Sequence, residues 1–322
     1  MSADSNNDEA DDEILCASCG VAGGDGIKLR KCTACYLVRY CGVKCQKEHR
    51  PKHKKECKKK AAELRDELLF KQPESSCFGD CPICCLPLPL PLDSQSKSVM
   101  MPCCSKSICD GCNLANKRRE LEGRLQEACP FCRHPAPKSQ VEAERIHMKR
   151  VEANDPVALR NVGQQRYQEG DYKGAIEYFK KAAELGDVMS HYRLSWSYRD
   201  GGGVEKDEKK EMYHREQAAI GGHPEARHNL GCYEWGNGQY ERGARHFIIA
   251  AKLGYDQSMG LVKKLYQGGS VSKDDFASTL RAHKAAVDAT KSPQREAAGA
   301  DAAYCLFRED VRTGAEFAGV KL

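Results

Sequence analysis

The chain has 322 residues, with 51 Lys and Arg against 46 Asp and Glu and a net charge of +5. That length allows two or three domains. No window approaches the ~18 consecutive apolar residues of a membrane-spanning helix. Seventeen of the nineteen cysteines precede residue 133, and only Cys232 and Cys305 follow it. A cysteine-rich front is therefore joined to an ordinary, helical back.

The chain opens with MSADSNNDEADDE, residues 1–13, which hold six acidic side chains and no basic or apolar run. This is the opposite of a secretory leader, and its composition predicts a disordered acidic head. The expected compartment is cytoplasmic, nuclear or both. There the surroundings are reducing and a disulfide framework is not expected. Cysteines grouped as C-x-x-C pairs in such a chain read as zinc ligands.

The first cluster fills a predicted module at 14–60. It reads Cys16-x2-Cys19, Cys32-x2-Cys35, Cys41-x3-Cys45 and His53-x3-Cys57. Eight ligands serve two tetrahedral ions. A C-x-x-C pair aims two thiolates from one tight turn. An x3 pair does the same from one helix face, because residues i and i+4 are neighbours there. A segment this short cannot bury enough apolar surface to fold alone, so the metal must act as its core. The stretches CASCG, CTAC, YCGVKCQ and HKKEC resemble the MYND zinc finger. The resemblance implies interleaved sites, with Cys16, Cys19, Cys41 and Cys45 on one zinc and Cys32, Cys35, His53 and Cys57 on the other. MYND fingers often carry a tryptophan three residues before the ligating histidine, where this chain has Arg50, and the family's peptide groove lies in that region. Residues 44–60 hold nine Lys or Arg against two Glu. No aromatic residue is interleaved from 41 to 69 to stack a base, so the basic run reads as a solvated helix face rather than a nucleic-acid site.

A helical linker is predicted at 61–76 and a second zinc module at 77–136. Here the cysteines fall as Cys81-x2-Cys84, Cys103-Cys104, Cys109-x2-Cys112 and Cys129-x2-Cys132. Three C-x-x-C pairs supply six ligands where two zinc ions need eight. The adjacent pair supplies the missing two. CPIC, ICDGC and CPFCR, separated by long gaps of 18 and 16 residues after Cys84 and Cys112, resemble a RING finger. Lys106 stands where the usual RING has a ligating histidine, so the resemblance is to all-cysteine variants. It implies Cys81, Cys84, Cys109 and Cys112 on one zinc and Cys103, Cys104, Cys129 and Cys132 on the other, making four zinc ions per chain. Adjacent cysteines are expected to need an irregular, strained turn. Cys85 and His134 are the substitute ligands considered, and Cys77 reads as a free thiol.

The prolines of LPLPLPL, Leu86 to Leu92, disfavour a helix or central strand. They place extended chain in the first zinc loop, or else a proline-motif ligand for another domain. Residues 113–128 are good helix formers and match the central RING helix. What the resemblance implies is a ubiquitin ligase that positions a ubiquitin-conjugating enzyme without doing chemistry on its own zinc. The contact positions are Ile83, Pro130 and Arg133, whose planar guanidinium suits a bridging role. The tryptophan frequent in active RINGs is missing, with Asn113 and Leu114 in its place.

After a second helical linker, 137–154, a repeat appears over 155–292. AAELGD, AAIGGH and AAKLGY recur 36 and 32 residues apart, the range of stacked helix pairs. Ala175, Ile176, Phe179, Ala182 and Ala183 share one helix face, and Gly186, Gly222 and Gly254 stand where helix C-caps belong. The units resemble Sel-one-like repeats, relatives of the tetratricopeptide family, at 155–186, 187–222 and 223–254, with a degenerate capping unit to 292. The resemblance implies an α-solenoid that holds protein substrates or adaptors. Trp196, Tyr198, Tyr233 and Trp235 read as inter-helix core more than as groove lining. His191, His214, His223, His228 and His246 lack ligand spacing, and Cys232 reads as a lone buried thiol. Residues 293–322 read as a flexible, loosely docked tail.

The expected fold is thus mainly α: two small cross-braced zinc modules, MYND and RING ββα, followed by a solenoid of helix-turn-helix repeats. The leading function is a RING-type ubiquitin ligase. The rival is a non-enzymatic scaffold. A MYND-linked methyltransferase has no segment left for its catalytic domain.

Overall fold

The computed structural model describes residues 15–24, 26–91 and 97–306. The acidic head, Leu92 and residues 307–322 of the expected tail lie outside the described residues. The chain divides into two compact units, Met1–Lys71 and Gln72–Leu322. No described helix is long and apolar enough to cross a membrane.

In the first unit β1 (Arg30–Lys31) pairs antiparallel with β2 (Arg39–Tyr40), Arg30 opposite Tyr40. Helix α1 (Val43–Leu69) follows and joins the last helix of the finger to the expected linker without a break. Its stripe Cys45, His49, His53, Cys57 repeats every four residues, which keeps all four on one side. His49 stacks on His53 with centroids 5.7 Å apart, and Tyr40 Oη lies 3.1 Å from His49 Nδ1. Beyond Cys57 the helix buries almost nothing. KKKAAELRDELL is made of strong helix formers, which stand in for packing there. The core of the unit is Cys16, Cys32, Cys35 and Tyr40, so three of its four residues are thiols.

In the second unit β3 (Ser98–Met100) and β4 (Ser107–Cys109) form an antiparallel hairpin with Val99 opposite Ile108. Helix α2 (Asp110–Glu122) starts at once, with Cys109 Sγ accepting from the Cys112 N–H as its N-cap. It begins three residues before the predicted helix and ends earlier, at Gly123. Ile108, Leu88, Cys81, Cys109 and Cys112 make a small core, with Phe78 and Met101 packed against it.

Helices α3 (Gln140–Glu152), α4 (Pro156–Gln168), α5 (Tyr172–Glu184), α6 (Val188–Asp200), α7 (Glu208–Ile220), α8 (Pro224–Gly236), α9 (Tyr240–Lys252), α10 (Asp256–Gln267) and α11 (Lys273–Ala289) then stack in order. This is a helical-repeat solenoid. Asp155, Asp171, Asp187 and Asp207 each accept a backbone N–H at a helix start, the arrangement that satisfies orphan donors there. Gly186, Gly222 and Gly254 have φ between 85° and 90° and end α5, α7 and α9. The five apolar residues of α5 named above are its buried residues. A Cβ on Gly163 of α4 would meet the Phe179 ring at 2.8 Å, and two repeats on one on Gly231 of α8 would meet Phe247 at 2.6 Å. Each glycine lets the paired helices close over a phenylalanine.

Residues 293–306 do not form the loosely docked tail expected. Helix α12 (Pro293–Ala300) and a helical turn at 302–306 pack on α2, where Ala298 and Tyr304, each 1% exposed, meet Leu114. Ser292 caps α12 and Pro293 occupies its first turn, a start signal that composition alone hides. A Cβ on Gly111 would lie 2.9 Å from the backbone of Gln294 and Arg295, so this glycine is the notch that admits the helix.

Candidate metal centres

Five turns of one kind contribute ligands to all four centres. At Cys16, Cys32, Cys81 and Cys129 the carbonyl accepts the N–H of the residue four on, at 2.8–2.9 Å. That residue is Gly20, Tyr36, Cys85 or Arg133, each with φ between 56° and 72°. The N–H of the same cysteine reaches a carbonyl five or six residues on. The fifth turn starts at Met101. Ser105 N–H donates to its carbonyl at 2.8 Å, its own N–H donates to Lys106 O at 2.9 Å, and Ser105 has φ 55°. Cys104 therefore occupies the place of the second cysteine in a C-x-x-C turn, with Met101 in the place of the first. The backbone N–H of Lys106 reaches Cys104, as that of Leu86 reaches Cys84 and that of His134 reaches Cys132. The strained turn expected for adjacent cysteines is thus a regular one whose first ligand has moved to Cys103.

Four sets of ligand atoms come together, each within 4.8 Å: Cys16, Cys19, Cys41, Cys45; Cys32, Cys35, His53, Cys57; Cys81, Cys84, Cys109, Cys112; and Cys103, Cys104, Cys129, Cys132. All nineteen cysteines are free thiols. Sγ–Sγ separations are 3.6 Å for Cys19–Cys41, 3.5 Å for Cys41–Cys45, 3.8 Å for Cys32–Cys57, 3.8 Å for Cys84–Cys109, 3.4 Å for Cys103–Cys132 and 3.9 Å for Cys104–Cys129. Tetrahedral zinc with Zn–S near 2.3 Å requires about 3.8 Å between sulfurs. The soft donors, their number and their spacing all fit zinc. His53 Nε2 lies 3.1 Å from Cys35 Sγ, on the ligand side. Its Nδ1 faces the Glu56 carboxylate at 3.9 Å.

The two modules repeat one further detail. The N–H of the first cysteine in the third pair donates to the first cysteine sulfur, Cys41 to Cys16 and Cys109 to Cys81, both at 3.5 Å. Burial opposes ionisation of the Cys16 thiol, but backbone N–H groups of Cys19, Cys41 and Ser18 outweigh it and hold the thiol down to about 6. Burial likewise opposes ionisation of Cys84, and the Leu86 N–H and the Arg295 guanidinium bring it to about 7.

The other candidates stand apart. Cys85 is exposed and sits in the left-handed corner of its turn. His134 Nδ1 lies 2.9 Å from Pro135 O. Cys77 Sγ lies 3.9 Å from Met189 Sδ, and burial pushes its thiol up to about 12. Lys106 is exposed. Cys85→Gly is expected to keep four zinc ions per chain by metal analysis and to change stability by no more than about 1 kcal/mol, since relief of the left-handed corner offsets the entropy of glycine.

Residues 16–57 match the MYND finger family model. The first unit therefore contains a zinc-binding MYND finger, and Arg50 on its helix is exposed. Three Sel1 repeats match at 156–187, 188–223 and 224–255, covering α4 to α9. Neither match extends over the cysteine cluster at 81–132. Among solved structures the chain is similar to a Sel1 repeat protein from Oxalobacter formigenes, at 23% identity and TM-score 0.39, over 64% of this chain and 87% of that one. It is also similar to a protective antigen of uropathogenic Escherichia coli strains displaying an SLR fold, at 27% identity and TM-score 0.37, over 46% of this chain and 33% of that one. The search of curated proteins returns no match.

Within the Sel1 repeats Tyr198 is buried and Trp235 packs on the Phe247 cluster, so both are core. Trp196 is half-buried beneath the Arg199 guanidinium, 3.6 Å from the ring centroid. Tyr233 is 38% exposed and donates its hydroxyl to Glu208 at 3.1 Å. His191 and His214 face each other at 2.9 Å, whereas burial lowers His223 and His246 to about 3. None of the five histidines joins a metal cluster among the described residues. Cys232 is not buried as expected. It is exposed, with Sγ 3.6 Å from His228 Nε2.

Of the expected contact residues, Ile83 is 42% exposed between two ligands, Pro130 is half-buried and Arg133 is exposed. Phe131, 43% exposed, stands beside Pro130. Its place inside the last C-x-x-C pair marks it as outward-facing, because the ligands on either side turn inward. Arg295 and Tyr304, which support the third cluster and α2, carry no signal in their own surroundings.

Proposed function

We propose that the chain is a RING-type ubiquitin ligase whose Sel1 repeats and MYND finger hold protein substrates or partners. Protein interaction is the coarser role that the MYND finger and Sel1 repeats indicate on their own. The ligase reading rests on one observation: the ligand pairs of the second zinc module alternate between two centres while Ile83, between the first two ligands, remains exposed. Alternation locks two loops together around a hairpin and helix α2. With all four positions of each zinc taken by protein, no water is activated, and the module acts by positioning a charged conjugating enzyme. Arg133, held outward by its turn, supplies a five-donor fork for bridging enzyme and ubiquitin. The proposed setting is the cytoplasm or nucleus.

Self-ubiquitination of the full chain with a panel of conjugating enzymes tests this. The wild type is expected to be active with at least one of them, and Ile83→Ala to lower that activity about tenfold or more, as loss of a buried interface anchor does. Absence of activity across the panel sinks the reading.

A scaffold without enzymatic activity is the second reading, and one observation favours it. The second zinc module is built into the repeats: Cys77 N–H donates to Gly222 O at 3.1 Å, and Phe78 meets His223 at 5.9 Å between centroids. A module seated on the junction of the second and third repeats serves a structural role without any conjugating enzyme.

A further inference from the structure

Helix α12 brings a cation to one zinc centre. Arg295 Nη2 donates to Cys84 Sγ at 3.4 Å and to Leu86 O at 3.0 Å. Its Nη1 donates to Pro87 O at 2.6 Å and to Thr290 O at 2.7 Å. One guanidinium thus grips a ligand sulfur and the two carbonyls of the chain leaving that ligand's turn. The partners are 211 residues apart in sequence.

The helix that carries Arg295 is itself fixed. The Tyr304 hydroxyl accepts from Asn113 Nδ2 at 2.9 Å and donates to Asp110 Oδ1 at 3.2 Å, and Arg118 pairs with Asp301 at 2.7 Å. Asp110 directly follows the ligand Cys109, and Asn113 directly follows the ligand Cys112. The segment therefore touches the Cys81 centre from two sides, at Cys84 and at the start of α2. The Gly111 notch sets how close it comes.

A zinc ion held by four thiolates carries a net charge of −2. With three of the four ligands buried, that charge is costly without a counter-charge or hydrogen-bond donors. A guanidinium supplies both, and its planar fork spends its other donors on carbonyls that hold the loop. The Cys103, Cys104, Cys129 and Cys132 centre has the same donor set. Its sulfurs lie against one another and against backbone N–H groups.

We propose that Arg295 is a positioning residue for the Cys81, Cys84, Cys109 and Cys112 zinc centre, keeping Cys84 in its ligand place and making zinc retention there depend on the docking of α12. Outer partners of metal ligands are typically worth ~10- to 100-fold in metal affinity. The proposal rests on the zinc reading of that cluster, and metal analysis of the wild-type chain tests that reading separately. Fewer than four zinc ions in the wild type counts against the zinc reading and not against Arg295.

The experiment follows zinc release from the full chain into a chromogenic chelator, with alkylation by iodoacetamide and mass spectrometry to locate the thiols freed. Arg295→Ala is expected to release one zinc equivalent at least tenfold faster, with Cys81, Cys84, Cys109 and Cys112 labelled first. Arg295→Lys keeps the charge but loses the fork, and is expected to fall between. Release at the wild-type rate overturns the proposal. So does acceleration spread over all four clusters, which marks general loss of structure. Where Arg295→Ala does not fold, Tyr304→Phe, which leaves Arg295 in place but loosens its helix, is expected to speed the same single equivalent. No change in that equivalent overturns the proposal as well.

Discussion

Stripping zinc from the chain with a strong chelator at neutral pH is expected to unfold the MYND finger while the Sel1 repeats keep most of their helix. The finger has almost nothing else to fold around. Its core is Cys16, Cys32, Cys35 and Tyr40, and its sheet is two residues long on each strand. A structural zinc contributes roughly 10–16 kcal/mol of apparent binding energy, far more than apolar burial offers in a segment this small. The repeats instead bury Phe179, Leu194, Phe247, Val262 and many alanines. Acid acts in the same direction as the chelator, because protons compete with zinc for thiolate and imidazole. Far-UV circular dichroism paired with amide exchange reads the result. Full protection must vanish over residues 15–57, persist over α4 to α9 and return when zinc is added back. Retained protection in the finger without metal would defeat the view that zinc is its core.

Phe179→Ala is expected to destabilise the repeats by about 3–5 kcal/mol, a large share of the 5–15 kcal/mol typical of a domain. The ring is 0% exposed and packs with Ile176, Ala183, Leu194 and Tyr198, bridging α5 and α6. It also rests on Gly163, so Gly163→Ala approaches the same contact from the other side. That change overpacks the site, at about 1–3 kcal/mol. The two effects are expected to be less than additive, since removing the ring empties the space the new methyl needs. Gly231 and Phe247 repeat the arrangement, and Gly231→Ala is expected to behave like Gly163→Ala. Tyr233→Ala, on a side chain 38% exposed, is the comparison expected to change little. Urea unfolding followed by circular dichroism measures all of these. Equal midpoints for Phe179→Ala and Tyr233→Ala would contradict the packing account.

How much was legible varies with the range of the interaction. The repeat register was readable almost to the residue: units placed at 155–186, 187–222 and 223–254 match Sel1 repeats at 156–187, 188–223 and 224–255. Helix starts, glycine ends and the buried face of α5 are all local patterns. Cys103 and Cys104 were readable as ligand candidates by counting, but their turn was misjudged. Its first position is Met101, a residue with no ligand chemistry, so no C-x-x-C spacing announces it. Cys232 was misplaced for a related reason. A cysteine is usually buried, and only the rotation of α8 about its axis turns this one outward.

By itself, the sequence determined the ligand inventory, the C-x-x-C turns and the helix pairs of the repeats, because each is closed within a few residues or one helix length. Tertiary structure decided which turns share a metal, which face of each zinc module stays open and what the last described segment does. SPQREAAGADAAY looks like a tail because it has too few apolar residues to make a core of its own. It becomes helix α12 because Gly111 admits it, its own Ala298 and the following Tyr304 pack on Leu114 and Arg295 finds Cys84. Those contacts join residues that nothing in the local sequence connects.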